Sequence, residues 1–89
     1  MISRDFKISN KLGLHARPSA QLTQAASRFQ SEVYLAREGR RVNAKSIMGV
    51  MMLAAGPGST VSVEADGPDE ENAVAAIGAL IESRFGELS

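Results

Sequence analysis

The clearest structural pattern in the chain is the run Glu32-Val33-Tyr34-Leu35-Ala36-Arg37-Glu38-Gly39-Arg40-Arg41-Val42-Asn43-Ala44. Inward apolar residues alternate with outward residues on both sides of Glu38-Gly39, a pattern typical of two half-buried strands. A short connection that ends in glycine favours a tight turn, because glycine adopts the positive φ that such turns require. The run therefore predicts an antiparallel β-hairpin.

Patterns before the hairpin predict one further strand and a helix. Ile2, Phe6 and Ile8 alternate with polar residues, as in a half-buried strand. An alanine-rich run follows from Ala16 to about Phe29, with Pro18 in its first turn, where the missing N–H of proline does no harm. This run predicts the first helix.

Patterns after the hairpin predict two more helices and a fourth strand. Ser46 is a favoured N-cap before an apolar run that Gly56 is expected to end, which predicts a short second helix. Residues 61–65 alternate as a strand, and residues 69–85 carry a helical stripe. The order β-α-β-β-α-β-α predicts an α+β fold with a four-stranded antiparallel sheet and three helices on one face.

Length and composition limit the class of protein. The 89 residues suit a single domain, 1–89, and the chain has no cysteine, which removes disulfides and thiolate chemistry. We expect a cytoplasmic protein without membrane insertion, because no window approaches a membrane span and the first residues lack an apolar signal region.

Charge is balanced overall but unevenly placed. Residues 1–46 carry a net charge of +6 and residues 47–89 one of −6. A globally basic nucleic-acid-binding protein is therefore not expected. We expect instead a local surface that faces an anion or an acidic partner. Residues 6–31 contain no carboxylate, and the single histidine, His15, lies in this segment.

His15 is expected at the start of the first helix, in the sequence Leu14-His15-Ala16-Arg17-Pro18. The unpaired N–H groups of a first turn and the positive end of the helix dipole bind anions and disfavour an imidazolium. We therefore expect a neutral, nucleophilic His15 that could carry a phosphoryl group, with Arg17 stabilising it. Gly13 allows positive φ, which would bring the backbone near the anion.

Other interpretations stay open on the local pattern. An exposed loop histidine beside an ordinary surface arginine fits it as well. No metal site is expected, because carboxylates and cysteines are missing nearby, and a hydrolase would need an acidic partner for His15. A nucleotide site is not expected either, since residues 56–60 lack the Gly-Lys-Ser/Thr of a phosphate-binding loop. An RNA-binding sheet would need several stacking aromatics, and the outer face offers one tyrosine, Tyr34.

Two motifs resemble the HPr family, the histidine-containing phosphocarriers of the phosphoenolpyruvate-dependent phosphotransferase system. The first is Gly13-Leu14-His15-Ala16-Arg17-Pro18 and the second is Lys45-Ser46-Ile47-Met48-Gly49-Val50-Met51. The resemblance implies an open-faced β-sandwich in which Nδ1 of His15 accepts a phosphoryl group from enzyme I and passes it to a IIA-type domain. It assigns no cofactor. Many members have Thr or Ser where this chain has Ala16, so only the backbone N–H can contribute there.

The second motif implies regulation and docking. In many family members the serine that Ser46 matches is phosphorylated by an ATP-dependent kinase/phosphorylase. The resemblance also implies that Val50 and Leu53 point inward, whereas three residues form a docking patch beside His15: Ile47, Met48 and Met51. For any one of these three side chains, a place in the core is an equally good interpretation. A monomer is the default expectation.

The pathway stays open. The chain also resembles a nitrogen-related branch of the family through Asn10-Lys11-Leu12-Gly13 and Gly67-Pro68. In that alternative the protein is a regulatory adaptor, and its phosphorylation state controls partner binding rather than sugar uptake.

Overall fold

The computed structural model describes residues 1–53 and 55–86. Ala54, in the predicted second helix, and residues 87–89 of the predicted domain lie outside the described residues. The predicted order of elements is confirmed. The strands are β1 (Ile2–Lys7), β2 (Glu32–Arg37), β3 (Arg40–Asn43) and β4 (Thr60–Asp66), and the helices are α1 (Ala16–Ala26), α2 (Ile47–Met52) and α3 (Glu70–Glu82).

The four strands form one antiparallel sheet in the order β1-β4-β2-β3. The last strand in sequence, β4, lies inside the sheet, where Ala65 pairs with Ile2 on one side and with Val33 on the other. The hairpin between β2 and β3 closes as predicted, with φ of 51° at Glu38 and 82° at Gly39, the backbone of a two-residue turn that matches strand twist.

One face of the sheet is covered by the helices, and the core lies between them, as the predicted open-faced sandwich requires. The helix α3 packs against β1 and β4, and α1 packs against α2 and α3. Gly78 of α3 faces the ring of Phe6, where a Cβ would come within 2.3 Å of the ring, so the missing side chain makes room for it. The core draws on both layers, and its fully buried residues include Leu22, Val33, Leu35, Val50, Val61, Val63, Ile77 and Ile81.

The opposite face of the sheet is polar and open. Its tyrosine, Tyr34, lies beneath the guanidinium of Arg41, which is 3.7 Å from the ring centre and also pairs with Glu64 at 3.1 Å. The ring of Tyr34 is therefore already stacked with the Arg41 side chain of the same protein. The face offers no row of free aromatic rings in the described residues, and the RNA-binding alternative finds no support.

Helix α1 ends earlier than predicted, at Ala26 rather than near Phe29. The hydroxyl and the amide of Ser27 both donate to the carbonyl of Thr23, and Phe29 N donates to Ala26 O, three residues back. The Ser27 hydroxyl competes for a helix carbonyl, and bonds that reach three residues back, as that of Phe29 does, tighten the chain into a turn. Phe29 still packs against the core from this turn.

The ends of the other two helices also differ from the prediction. Helix α2 ends at Met52, before the expected stop at Gly56, and Arg40 Nη1 donates to Met52 O at 2.9 Å. Helix α3 ends at Glu82, and Phe85 reaches the core because Arg84 and Phe85 both adopt positive φ. A hydrogen bond from β3 marks the end of α2, and a local change of backbone conformation follows the end of α3; helical periodicity contains neither signal.

Asp69 joins the start of α3 to the chain that enters β2. Its carboxylate accepts hydrogen bonds from the hydroxyl and amide of Ser31 and from the amide of Gln30. These bonds favour the ionised form and lower the pKa of Asp69 to about 2, with the Ser31 hydroxyl as the largest cause.

In the part of the chain that the structure describes, no helix has the length and apolar character needed to cross a membrane.

Candidate functional site

His15 is the N-cap residue of α1, at the predicted helix start. Its backbone is extended, with φ −78° and ψ −171°, and its carbonyl accepts the first helical hydrogen bond from Ser19 N at 3.0 Å. The half-buried side chain makes no capping hydrogen bond to the helix. Helix geometry leaves the N–H groups of Ala16 and Arg17 without intrahelical acceptors, beside this residue.

The backbone on both sides of His15 is held by hydrogen bonds. Leu14 is buried, its N–H donates to Ala55 O at 2.9 Å, and its carbonyl accepts from the buried Ser19 hydroxyl at 3.1 Å. Asn10, also buried, donates its side-chain amide to Gly13 O at 2.7 Å. The sequence patterns did not predict these roles of Asn10 and Ser19. The signal for Asn10 was its spacing of three from a glycine, which is typical of a turn.

Gly13 has the positive φ that was predicted, 64°. Its closest neighbours belong to the chain after α2, because a Cβ built at Gly13 would lie 2.4 Å from Ala55 O and 2.7 Å from Gly56 Cα. Its amide N–H donates to Asn10 O at 3.2 Å. Gly13 therefore shapes the loop and holds it against the segment after α2, and its own N–H is not turned toward an anion at His15.

Of the next three residues, Ala16 and Arg17 are exposed and Pro18 is buried. Within residues 1–53 and 55–86, no carboxylate forms a salt bridge with Arg17. Arg17 lies in the first turn of α1, directly after the residue that follows His15. In the same ranges no three His, Asp or Glu side chains cluster closely enough to hold a metal ion.

Ser46 caps α2 as predicted. Its Oγ accepts from Gly49 N at 3.1 Å, and its carbonyl accepts from Val50 N at 3.0 Å. At the other end of the helix, Arg37 and Arg40 of the hairpin donate to the carbonyls of Leu53 and Met52. A six-residue helix is marginal by itself, so these caps and its buried residues hold α2 in place.

The side chains of α2 divide as the resemblance implies. Val50 and Leu53 are buried. Four others form what we call the apolar patch, with exposed fractions of 44% for Ile47, 70% for Met48, 40% for Met51 and 63% for Met52. The predicted docking patch did not include Met52, although its spacing of four from Met48 places both on one side of a helix. Helices α1 and α2 are in contact, so the apolar patch belongs to a helix that packs against α1, the helix that starts at His15.

Comparison with known proteins agrees with this geometry. The family model described as "PTS HPr component phosphorylation site" matches residues 2–83. The chain is 66% identical over 87 residues to the phosphocarrier protein HPr of Cupriavidus necator, with 98% of each chain covered. It is 52% identical over 87 residues to that of Xylella fastidiosa, again with 98% of each covered.

A solved structure shows the same fold. The crystal structure of HPr-C-His from Thermoanaerobacter tengcongensis matches with a TM-score of 0.96 at 47% identity, covering 100% of both chains. Sequence and fold thus agree over nearly the whole chain, and both sequence motifs lie within the matched residues. The chain belongs to the HPr family of phosphocarriers of the phosphotransferase system.

Proposed function

We propose that His15 accepts a phosphoryl group from phospho-enzyme I, to which phosphoenolpyruvate supplies it, and passes the group to a IIA-type domain. The observation that carries the proposal is the position of His15 at the N-terminus of α1, with its backbone held from both sides. In the transfer, a ring nitrogen forms a bond to phosphorus while the bond from phosphorus to the donor breaks. The same step in the other direction releases the group, so the protein acts as a carrier without net turnover of its own.

The surroundings suit a group that must be held briefly. A phosphoryl group brings close to two negative charges and three acceptor oxygens. The N–H groups of Ala16 and Arg17 and the Arg17 guanidinium can donate charge-assisted hydrogen bonds to it. Donors at a helix start are already oriented before the group arrives, so little reorganisation accompanies transfer.

Intact mass tests the carrier function. Incubation with enzyme I and phosphoenolpyruvate is expected to add one acid-labile phosphoryl group, and addition of a IIA-type domain is expected to remove it. Omission of enzyme I is the control, because the chain is proposed to have no donor site of its own. A chain that stays unmodified with enzyme I, or that keeps the group when IIA domains are added, contradicts the proposal.

We also propose that this exchange takes place in the cytoplasm and that the chain acts as a monomer.

The nitrogen-related alternative loses part of its basis. Asn10 and Gly13 are explained by the loop before His15, and Gly67, with φ 154°, lies against Ser31, where a Cβ would come within 2.6 Å of Ser31 Cα. Since packing requires these residues, they do not distinguish the branches.

Arg17→Ala is expected to slow phosphorylation of His15 by about 10- to 150-fold, the kinetic equivalent of one charge-assisted hydrogen bond of about 1.5–3 kcal/mol. Stability should change little, because Arg17 is exposed. The rate of label transfer from enzyme I measures the effect. Arg28→Ala is the matched control, since it removes the same charge from an exposed position after the other end of α1. Equal rates for the two variants would refute the role of Arg17.

We propose that Ser46 is a regulatory phosphorylation site for a serine kinase/phosphorylase. A phosphate at a helix N-terminus is tolerated locally, so the modification leaves α2 folded. It places a charge beside the apolar patch, and that charge must lose water when enzyme I docks. The expected effect is weaker docking.

Ser46→Asp is expected to slow phosphorylation of His15 by up to about fivefold, the upper end of surface charge interactions of about 0.2–1 kcal/mol. Ser46→Asn is the matched control, because asparagine and aspartate cap helices equally well and differ here in charge. The measurement is the rate of phosphorylation by enzyme I at subsaturating carrier. If the Asp and Asn variants react at the same rate, charge at this position has no regulatory effect.

We propose that the apolar patch is where enzyme I and IIA domains dock. Methionine suits a surface that accepts several partners, because its unbranched side chain repacks easily. Met48→Asp is expected to raise the KM of enzyme I for the carrier by about tenfold or more, as loss of an interface anchor does. Ala75→Asp, an acidic substitution at an exposed position of α3, is the control. An unchanged KM for Met48→Asp, with the circular dichroism of wild type, would place docking elsewhere.

A further inference from the structure

The methionines of this chain are placed in an unusual way. All four are exposed, three of them in the apolar patch on α2 and the fourth, Met1, at the start of the chain. The buried core of the described residues contains none. Besides repacking easily against partners, a methionine at the surface leaves its thioether sulfur accessible to oxidants. The chain also has no cysteine, so no thiol of its own competes for an oxidant.

We propose that Met48, Met51 and Met52 form a reversible oxidation site, and that their oxidation by hydrogen peroxide weakens docking of enzyme I. The inference rests on the docking role of the apolar patch proposed above. Each thioether sulfur takes one oxygen atom from peroxide, so an S–O bond forms, the O–O bond breaks and water leaves. The sulfur loses two electrons and peroxide gains them. Methionine sulfoxide reductases reverse the change with electrons from thiols.

Oxidation is expected to alter the surface of α2 without unfolding it. The buried contacts of the helix come from Val50 and Leu53, and its ends are held by Ser46 and Arg40, none of which contains sulfur. The sulfoxide oxygen is a strong hydrogen-bond acceptor, which costs free energy when an apolar partner covers it. Phosphoryl transfer at His15 does not involve sulfur. The expected change is therefore in docking rather than in the rate of the chemical step.

The test compares wild type with a triple variant, Met48→Leu, Met51→Leu and Met52→Leu, each before and after the same peroxide treatment. Leucine keeps the patch apolar and cannot be oxidised, and Met1 remains in both proteins as an internal control with an exposed fraction of 63%. Peptide mass spectrometry counts the oxygen atoms added at each methionine. Steady-state phosphorylation by enzyme I and phosphoenolpyruvate gives KM and kcat, and each treated protein is compared with its own untreated form.

We expect the KM of wild type to rise about tenfold after treatment with kcat nearly unchanged, whereas the triple variant keeps its own KM. Reductase treatment should restore wild type. The inference is overturned if oxidised wild type keeps its KM, if the triple variant loses as much, if α2 methionines resist a dose that oxidises Met1, or if circular dichroism shows unfolding. A failure of untreated wild type to be phosphorylated refutes the proposed function itself, and this inference with it.

Discussion

A His15→Ala variant should gain no phosphoryl group when it is incubated with enzyme I and phosphoenolpyruvate. The chain has a single histidine and no cysteine, so no second side chain of comparable nucleophilicity can replace it. The expected loss is complete within the detection limit of intact mass spectrometry, the largest functional effect that the structure predicts. Circular dichroism of the variant, compared with that of wild type, checks that it is folded.

A His15→Gln variant serves as the companion, since glutamine keeps a polar side chain of similar size without an imidazole nitrogen. Both variants should still slow phosphorylation of wild type when they are present in excess, because the apolar patch is intact and competes for enzyme I. An acid-labile phosphoryl group on either variant would move the acceptor to another residue and refute the assignment.

Gly13→Ala should cause the largest loss of stability among the substitutions considered. A left-handed backbone costs a non-glycine residue about 1–2 kcal/mol, and the φ of Gly13 is 64°. The new Cβ would also lie within 2.4 Å of Ala55 O and 2.7 Å of Gly56 Cα, backbone atoms that cannot rotate away. Overpacking of this kind adds about 1–3 kcal/mol, so the free energy of unfolding should fall by about 2–5 kcal/mol.

Gly39→Ala separates the cost of a left-handed backbone from the cost of steric overlap with neighbouring atoms. Gly39 also has a positive φ, 82°, but a Cβ there would have no atom within 4 Å. This variant should therefore lose only about 1–2 kcal/mol, the backbone part of the effect. Urea unfolding at neutral pH measures both. Equal losses for the two alanine variants would show that the approach of Gly13 to the segment after α2 does not contribute to stability.

The elements that local chemistry specifies were predictable. The hairpin followed from alternation around Glu38-Gly39, and the start of α2 from a serine before an apolar run, because a tight turn and an N-cap depend on neighbouring residues. The same holds for the placement of His15 at the start of α1. The order of elements and the open polar face of the sheet followed from these signals together.

Features that depend on distant residues were not predictable from periodicity. Helix α2 ends at Met52, whose carbonyl accepts a hydrogen bond from Arg40 of β3. Phe85 is buried as its place in the helical stripe predicted, but it lies in a backbone turn after α3 rather than in the helix. Only part of the structural role of Gly13 could be predicted. Its positive φ was expected, but its contact with Ala55 and Gly56 joins parts of the chain that sequence alone does not bring together.

The place of β4 inside the sheet has a consequence for synthesis on the ribosome. Of the four strands, β1 leaves the exit tunnel first, yet the strand it pairs with, β4, is made last. At translation rates of about 5–20 residues per second, β1 waits several seconds with its edge unpaired. Meanwhile only the β2–β3 hairpin can pair, so the sheet assembles late and nearly all at once. Nascent chains stalled before residue 60 should therefore be far more sensitive to proteases than those stalled after the whole chain has emerged.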